Sequence, residues 1–128
     1  MEKLDKSGTL PEVAAKLGIG EYHRHVFLCT GPSCCTPEVG LAAWEELKRQ
    51  LKDRNLSLST GPTACYRTRV GCLRVCQGGP IAVVYPDGDW YAGLSVDRIP
   101  LFVQQHLVEG KCVGDWTFAK NPLPNDGA

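Results

Sequence analysis

The chain has 128 residues, 43% hydrophobic and 22% charged, with a formal net charge of zero; this fits one modest globular domain and argues against the strong basic patch of a nucleic-acid binder. No apolar run approaches the roughly 20 residues of a membrane span, and the opening segment MEKLDKSGTLPEVAAKLGIGEY is too interrupted by charge for a signal peptide. A cytoplasmic setting is the expectation, and there seven cysteines, an odd number, point to metal or redox chemistry before disulfides.

Residues 1–24 read as an N-terminal extension. Within it, Thr9-Leu-Pro-Glu12 has the form of a capping box, opening a short helix that runs to Leu17 and stops at Gly18. His25 to Cys29 is a short apolar run ended by Gly31 and Pro32, which predicts a buried strand. A helix is predicted over 37–53, with Thr36 as its cap and Pro37 in its first turn. Val39, Ala43, Leu47 and Leu51 form its apolar stripe, Trp44 flanks it, and Glu45 and Arg49 are placed to pair on the wet side. Residues 55–63, rich in Ser, Thr, Gly and Pro, read as a loop. A strand over 64–70 would set Cys65, Arg67 and Arg69 on one face and Tyr66, Thr68 and Val70 on the other. Ile81 to Tyr85 is the clearest strand; Pro86-Asp-Gly88 turns the chain, and residues 89–92 return beside it with Trp90 and Tyr91 on opposite faces. The last helix is expected over 97–109, capped by Asp97, with Pro100 in its first turn, Ile99, Val103 and Leu107 facing the core, and Gly110 ending it. Residues 114–128 read as an irregular tail. The resulting α/β order, β-α-β-β-β-α, predicts a small mixed sheet with helices packed on it, its first two strands parallel through a right-handed crossover.

The chemistry concentrates in two cysteine clips, Cys29-Thr-Gly-Pro-Ser-Cys34 and Cys72-Leu-Arg-Val-Cys76. Each follows a strand end, so both can meet at one end of the sheet. Four thiolates in two clips suit a [2Fe–2S] cluster, whose irons each take two bridging sulfides and two protein ligands. They also match a four-thiolate zinc site. Cys35, next to Cys34, is a second candidate for the same ligand position. Backbone amides at Gly31, Gly71, Gly78 and Gly79 are placed to approach the sulfurs. Arg67, Arg69 and Arg74 lie near the second clip, either as solvated surface positions or to offset cluster charge and dock an acidic partner. Plant-type C-x4-C-x2-C spacing fails because Pro37 stands where the third cysteine would be. A Rieske centre would need histidine pairs that His23, His25 and His106 do not form. The absence of C-x-x-C argues against a thiol–disulfide enzyme. Cys65 and Cys112 lack partners at ligand spacing and read as small buried residues.

Taken together, His25-Val-Phe-Leu-Cys29, Cys34-Cys35, Gly71-Cys-Leu-Arg-Val-Cys76, Gly79-Pro-Ile-Ala-Val-Val-Tyr-Pro-Asp-Gly88 and Trp90-Tyr91 make the chain resemble the thioredoxin-like [2Fe–2S] ferredoxins of the Shethna type. The clip spacings are also similar to those of the [2Fe–2S] subunit of respiratory NADH dehydrogenase. The resemblance implies a thioredoxin-like domain over 25–113 and a [2Fe–2S] cluster on Cys29, Cys34, Cys72 and Cys76. It implies one-electron transfer between a reductase and an acceptor instead of catalysis, and often a homodimer. A fixed place in a larger redox complex is the alternative. Thioredoxin folds also often carry a cis proline where Pro80 stands. Many members have a longer loop between the first two ligands than the four residues found here.

Overall fold

The computed structural model describes residues 8–57 and 63–124; the centre of the predicted 55–63 loop and the last four residues of the predicted tail lie outside these. Helix α1 (Leu10–Leu17) opens with the expected capping box. The Glu12 amide donates to the Thr9 hydroxyl at 3.3 Å, and the Thr9 amide donates to the Glu12 carboxylate at 2.7 Å. Gly18, at φ 76°, ends the helix. Strand β1 (Arg24–Cys29) follows, then α2 (Pro37–Asp53) with the predicted bounds and the Thr36 cap.

Two details of α2 differ from expectation. Val39 is 42% exposed, and the buried stripe is Gly40, Ala43, Leu47 and Leu51. The cause is a close backbone crossing: a Cβ on Gly40 would lie 2.2 Å from the Thr30 carbonyl oxygen, so the helix meets the strand end through Gly40. Arg49 pairs with Glu46 and Asp53, not Glu45, which pairs instead with Lys48 at 3.1 Å. The basic residues each reach the acid one turn back, and such exposed pairs contribute only tenths of a kcal/mol.

Strands β2 (Cys65–Val70), β3 (Ile81–Tyr85), β4 (Asp89–Tyr91) and β5 (Thr117–Lys120) complete a sheet in the order β2-β1-β3-β4-β5. β1 and β2 are parallel, with Cys29 opposite Val70, and the other pairings are antiparallel. β5 corrects the expected irregular tail: a 3-10 turn at Gly114–Trp116 leads into a strand that sets Ala119 opposite Trp90. The Asn-Pro and Leu-Pro signals take effect only after it. Among the described residues, no helix is long and apolar enough to cross a membrane.

Alternation along the strands divides the apolar residues into two clusters. Val26, Leu28, Ala82, Val84 and Tyr91 face Ala43, Leu47 and Leu51 of α2 and Ile99, Phe102, Val103 and Leu107 of the last helix. Truncating a leucine in such a core costs about 2–5 kcal/mol, which outweighs any surface ion pair. The other face carries a smaller cluster of Cys29, Cys34 and Ile81, flanked by Val70 and Trp90. The expected faces of β2 hold, since Cys65 joins the first cluster and Val70 packs on the second. Burial pushes the Cys65 thiol up to about 12, as befits an inert core cysteine. Trp90 and Tyr91 also divide as expected: Tyr91 is fully buried and Trp90 half-buried.

The last helix begins as α3 (Ile99–Phe102) and widens into a π-helical turn, Val103–Val108. Asp97 does not cap it. Arg98 holds that position without a side-chain bond, and Asp97 accepts from the Ser95 hydroxyl at 2.5 Å. The wide turn carries His106 into the interior, 1% exposed, where a polar chain satisfies it. The Val113 amide donates to the Tyr91 hydroxyl at 2.9 Å, that hydroxyl lies 2.6 Å from His106 Nδ1, and Nε2 lies 2.6 Å from Asp87. Arg24 closes the far end on Asp87 at 2.8 Å. Burial holds the imidazole neutral, below the ordinary value of 6.5. Burial alone would raise Asp87, but Arg24 and His106 outweigh it and hold the carboxyl below its ordinary value.

Both shifts have the same sign for stability. With a depressed folded value, His106 favours the folded state above 6.5 and loses that contribution as pH falls below it. Asp87 adds a further loss at still lower pH. The thermal midpoint is expected to fall as pH drops from 7 to about 5, and His106→Gln should flatten that slope while lowering the midpoint at pH 7. Parallel pH profiles for the two proteins would refute the assignment.

Candidate metal centre

Cys29 is the last residue of β1, and the loop bearing Cys72 and Cys76 leaves the end of β2. Because the strands are parallel, the clips emerge at the same end of the sheet. Cys29 and Cys34 are buried, with their sulfurs 3.0 Å apart. Cys72 and Cys76 are exposed, with theirs 4.0 Å apart. The Cys29 sulfur also lies 3.8 Å from the Gly71 carbonyl oxygen, which brings the first clip against the base of the second loop. Cys35 is half-buried, its sulfur 3.7 Å from that of Cys34. Cys65 and Cys112 pack with the main core and not with the clips.

Within each pair the sulfurs lie within hydrogen-bond reach of one another. Burial pushes Cys34 up to about 12, assisted by hydrogen bonds with Cys29 and Cys35, while the Ile81 amide opposes the shift. Hydrogen bonding to Cys72 likewise raises Cys76, and the nearby guanidinium of Arg74 opposes it. A metal would bind these sulfurs as thiolates, so its binding would release protons.

The sulfur-facing amides are not those expected from the glycines. Arg74 N–H donates to the Cys72 sulfur at 3.1 Å. Gly79 donates to the Cys34 carbonyl oxygen at 2.8 Å, so it fixes the clip backbone and not a sulfur. The second loop bends sharply, with Arg74 at φ 71° and Cys76 at φ 61°. Non-glycine residues adopt this region rarely, and such positions concentrate at functional sites. Neither conformation is legible in the residue types. Pro80 follows a cis peptide bond, as do Pro32 and Pro86.

A comparison with family models finds no match. Among curated proteins, a 2Fe-2S ferredoxin of Clostridium pasteurianum is 31% identical over 98 residues, covering 70% of this chain and 89% of that one. The chain belongs to the [2Fe–2S] ferredoxins. A 2Fe-2S ferredoxin of Aquifex aeolicus strain VF5 is 28% identical over 104 residues, 79% of this chain and 94% of that one. Among solved structures, a thioredoxin-like [2Fe-2S] ferredoxin from Aquifex aeolicus superposes with a TM-score of 0.65 at 24% identity, covering 81% of this chain and 97% of that chain. Its wild-type structure at 1.5 Å gives 0.64 at 25% identity, with 77% and 99% covered. The fold of this ferredoxin is therefore thioredoxin-like, as the sequence resemblance implied.

Close backbone packing holds the buried clip of this ferredoxin. A Cβ on Gly79 would lie 2.8 Å from both the carbonyl oxygen and the sulfur of Cys34, whereas a Cβ on Gly71 would meet nothing within 4 Å. Gly79→Ala is therefore expected to destabilise the protein by roughly 1–3 kcal/mol, and Gly71→Ala to leave it nearly unchanged. Urea denaturation of the two variants checks this, and equal midpoints would contradict it.

Proposed function

We propose that this ferredoxin carries single electrons on a [2Fe–2S] cluster held by Cys29 and Cys34 on one iron and by Cys72 and Cys76 on the other. The observation that carries the reading is the arrangement of sulfurs in two separate pairs at adjacent strand ends. Tetrahedral bonds of about 2.3 Å hold two thiolates on one metal roughly 3.8 Å apart. The 4.0 Å of Cys72 and Cys76 fits that spacing, and the 3.0 Å of Cys29 and Cys34 needs only a small opening. A single zinc ion would need all four sulfurs mutually at that spacing. Among the described residues, no three cysteine sulfurs lie within 4.8 Å of one another. That counts against the zinc reading.

The cluster supplies a one-electron couple between its all-ferric and mixed-valence states. The protein's part is to hold it near the surface, with no substrate pocket or catalytic base required. The Arg74 amide stabilises the Cys72 sulfur, and such bonds raise the reduction potential. Cys34 is favoured over Cys35 by its burial, its 3.0 Å approach to Cys29 and its packing on Gly79. The partners are a reductase and an electron acceptor, and the setting is the cytoplasm, where free thiols persist.

Iron and inorganic sulfide are expected in equal amounts, two of each per chain. Dithionite should give a rhombic EPR signal of one unpaired electron per two irons. Cys29→Ser, Cys34→Ser, Cys72→Ser and Cys76→Ser should each lose or alter that signal, while Cys35→Ser keeps it. Retention in Cys34→Ser with loss in Cys35→Ser would exchange the two roles. Colourless protein after anaerobic reconstitution would overturn the reading.

A further inference from the structure

We propose that Arg69 and Arg74 form a cationic rim beside the exposed Cys72–Cys76 clip and dock the carboxylate-rich surface of an electron-transfer partner, an inference that rests on the carrier reading above. The two clips are unequal: Cys29 and Cys34 are buried, and Cys72 and Cys76 are exposed. Electrons therefore leave through the second clip, and a partner must approach that side.

The charge around that clip is one-sided. Residues 54–86 contain Arg54, Arg67, Arg69 and Arg74 and no aspartate or glutamate. Most of the protein's arginines are engaged. Arg24 pairs with Asp87, Arg49 with Glu46 and Asp53, and Arg54 bonds Gln50 and Gln104. Arg67 lies over Trp44 and Arg98 over Trp116. Arg69 and Arg74 are exposed and have no ion pair among the described residues. Both are close to the second clip in sequence: Arg74 lies inside it, its amide 3.1 Å from the Cys72 sulfur, and Arg69 stands three residues before Cys72, one residue from the end of edge strand β2.

Arginine forks suit carboxylates, and opposite charge across an interface accelerates encounter more than it tightens the complex. An oxidised cluster with four thiolates carries roughly −2 and would repel an acidic partner. Two guanidinium groups at its exposed side offset that repulsion.

The test uses reconstituted holoprotein. Reduced protein is mixed in stopped flow with hexacyanoferrate(III), an anion, or hexaamminecobalt(III), a cation. In each case one electron passes from the cluster to the metal complex, with no proton or bond transferred to the protein. The ratio of anion to cation rates should fall about tenfold or more in Arg69→Glu/Arg74→Glu at low ionic strength, and the difference should fade in high salt. Arg69→Lys/Arg74→Lys should keep the ratio, and Lys52→Glu, on an exposed position at the far end of α2, should leave it unchanged. Poly-L-glutamate, titrated calorimetrically, should bind the wild type and bind the double reversal more weakly. The proposal is overturned if the ratio does not move, if Lys52→Glu moves it equally, or if the double reversal loses the visible absorption of the cluster. Wild-type protein that holds no cluster would fail before any oxidant is added, and that result refutes the carrier reading itself.

Discussion

Parallel pairing of β1 with β2 places Cys29 and the loop after Val70 at the same end of the sheet, because parallel strands finish side by side. Antiparallel pairing would have set the two clips a strand length apart, roughly 17–20 Å for ordinary strands. The crossover helix α2 makes this pairing possible. It starts close to the first clip, where Gly40 lets it cross the Thr30 backbone. A side chain at Gly40 would lift the helix from the strand end and disturb the residue that follows Cys29.

Two kinds of packing serve two purposes. The cluster of Leu28, Leu47, Leu51, Phe102 and their neighbours fixes the sheet to its helices, and its contribution comes from apolar area removed from water. The smaller cluster on the opposite face, with Ile81 beside Cys29 and Cys34, surrounds the buried clip with apolar side chains. Gly79 docks its backbone on Cys34, and the next residues hold that contact, since the Gly93 and Leu94 amides bond to the Gly78 and Pro80 carbonyl oxygens. The candidate metal centre is thus anchored on one side by well-packed strands and opens to solvent on the other.

Much of this was legible in the sequence where the cause is local. Thr9, Thr36, Gly18 and Gly110 mark helix ends through their own side chains or backbone freedom, and they mark them correctly. The clips, the two opposite faces of β2 and the β3–β4 hairpin were legible too. What was missed is set by distant contacts. Thr117 to Lys120 becomes a strand because β4 offers an edge. Val39 is displaced from the core because Gly40 meets a strand. Spacing alone left Cys34 and Cys35 both within reach of a metal; their packing differs, since the Cys34 sulfur lies 3.0 Å from that of Cys29 and its backbone and sulfur lie against Gly79. The chain from Val113 through Tyr91 and His106 to Asp87 joins four segments whose polar residues carry no mutual spacing signal.

The π-helical turn at Val103–Val108 amounts to an extra residue wound into the helix. Regular winding advances about 100° per residue. A homologous chain shortened by one residue between Val103 and His106 would close the wide turn into a regular helix and keep what lies beyond it in phase. The same loss before Val103, with the wide turn kept, would rotate everything beyond it by that angle. The imidazole would then swing out of the interior, and Tyr91 and Asp87 would each lose their shared partner. The wide turn is therefore the place where this helix can absorb a change of length.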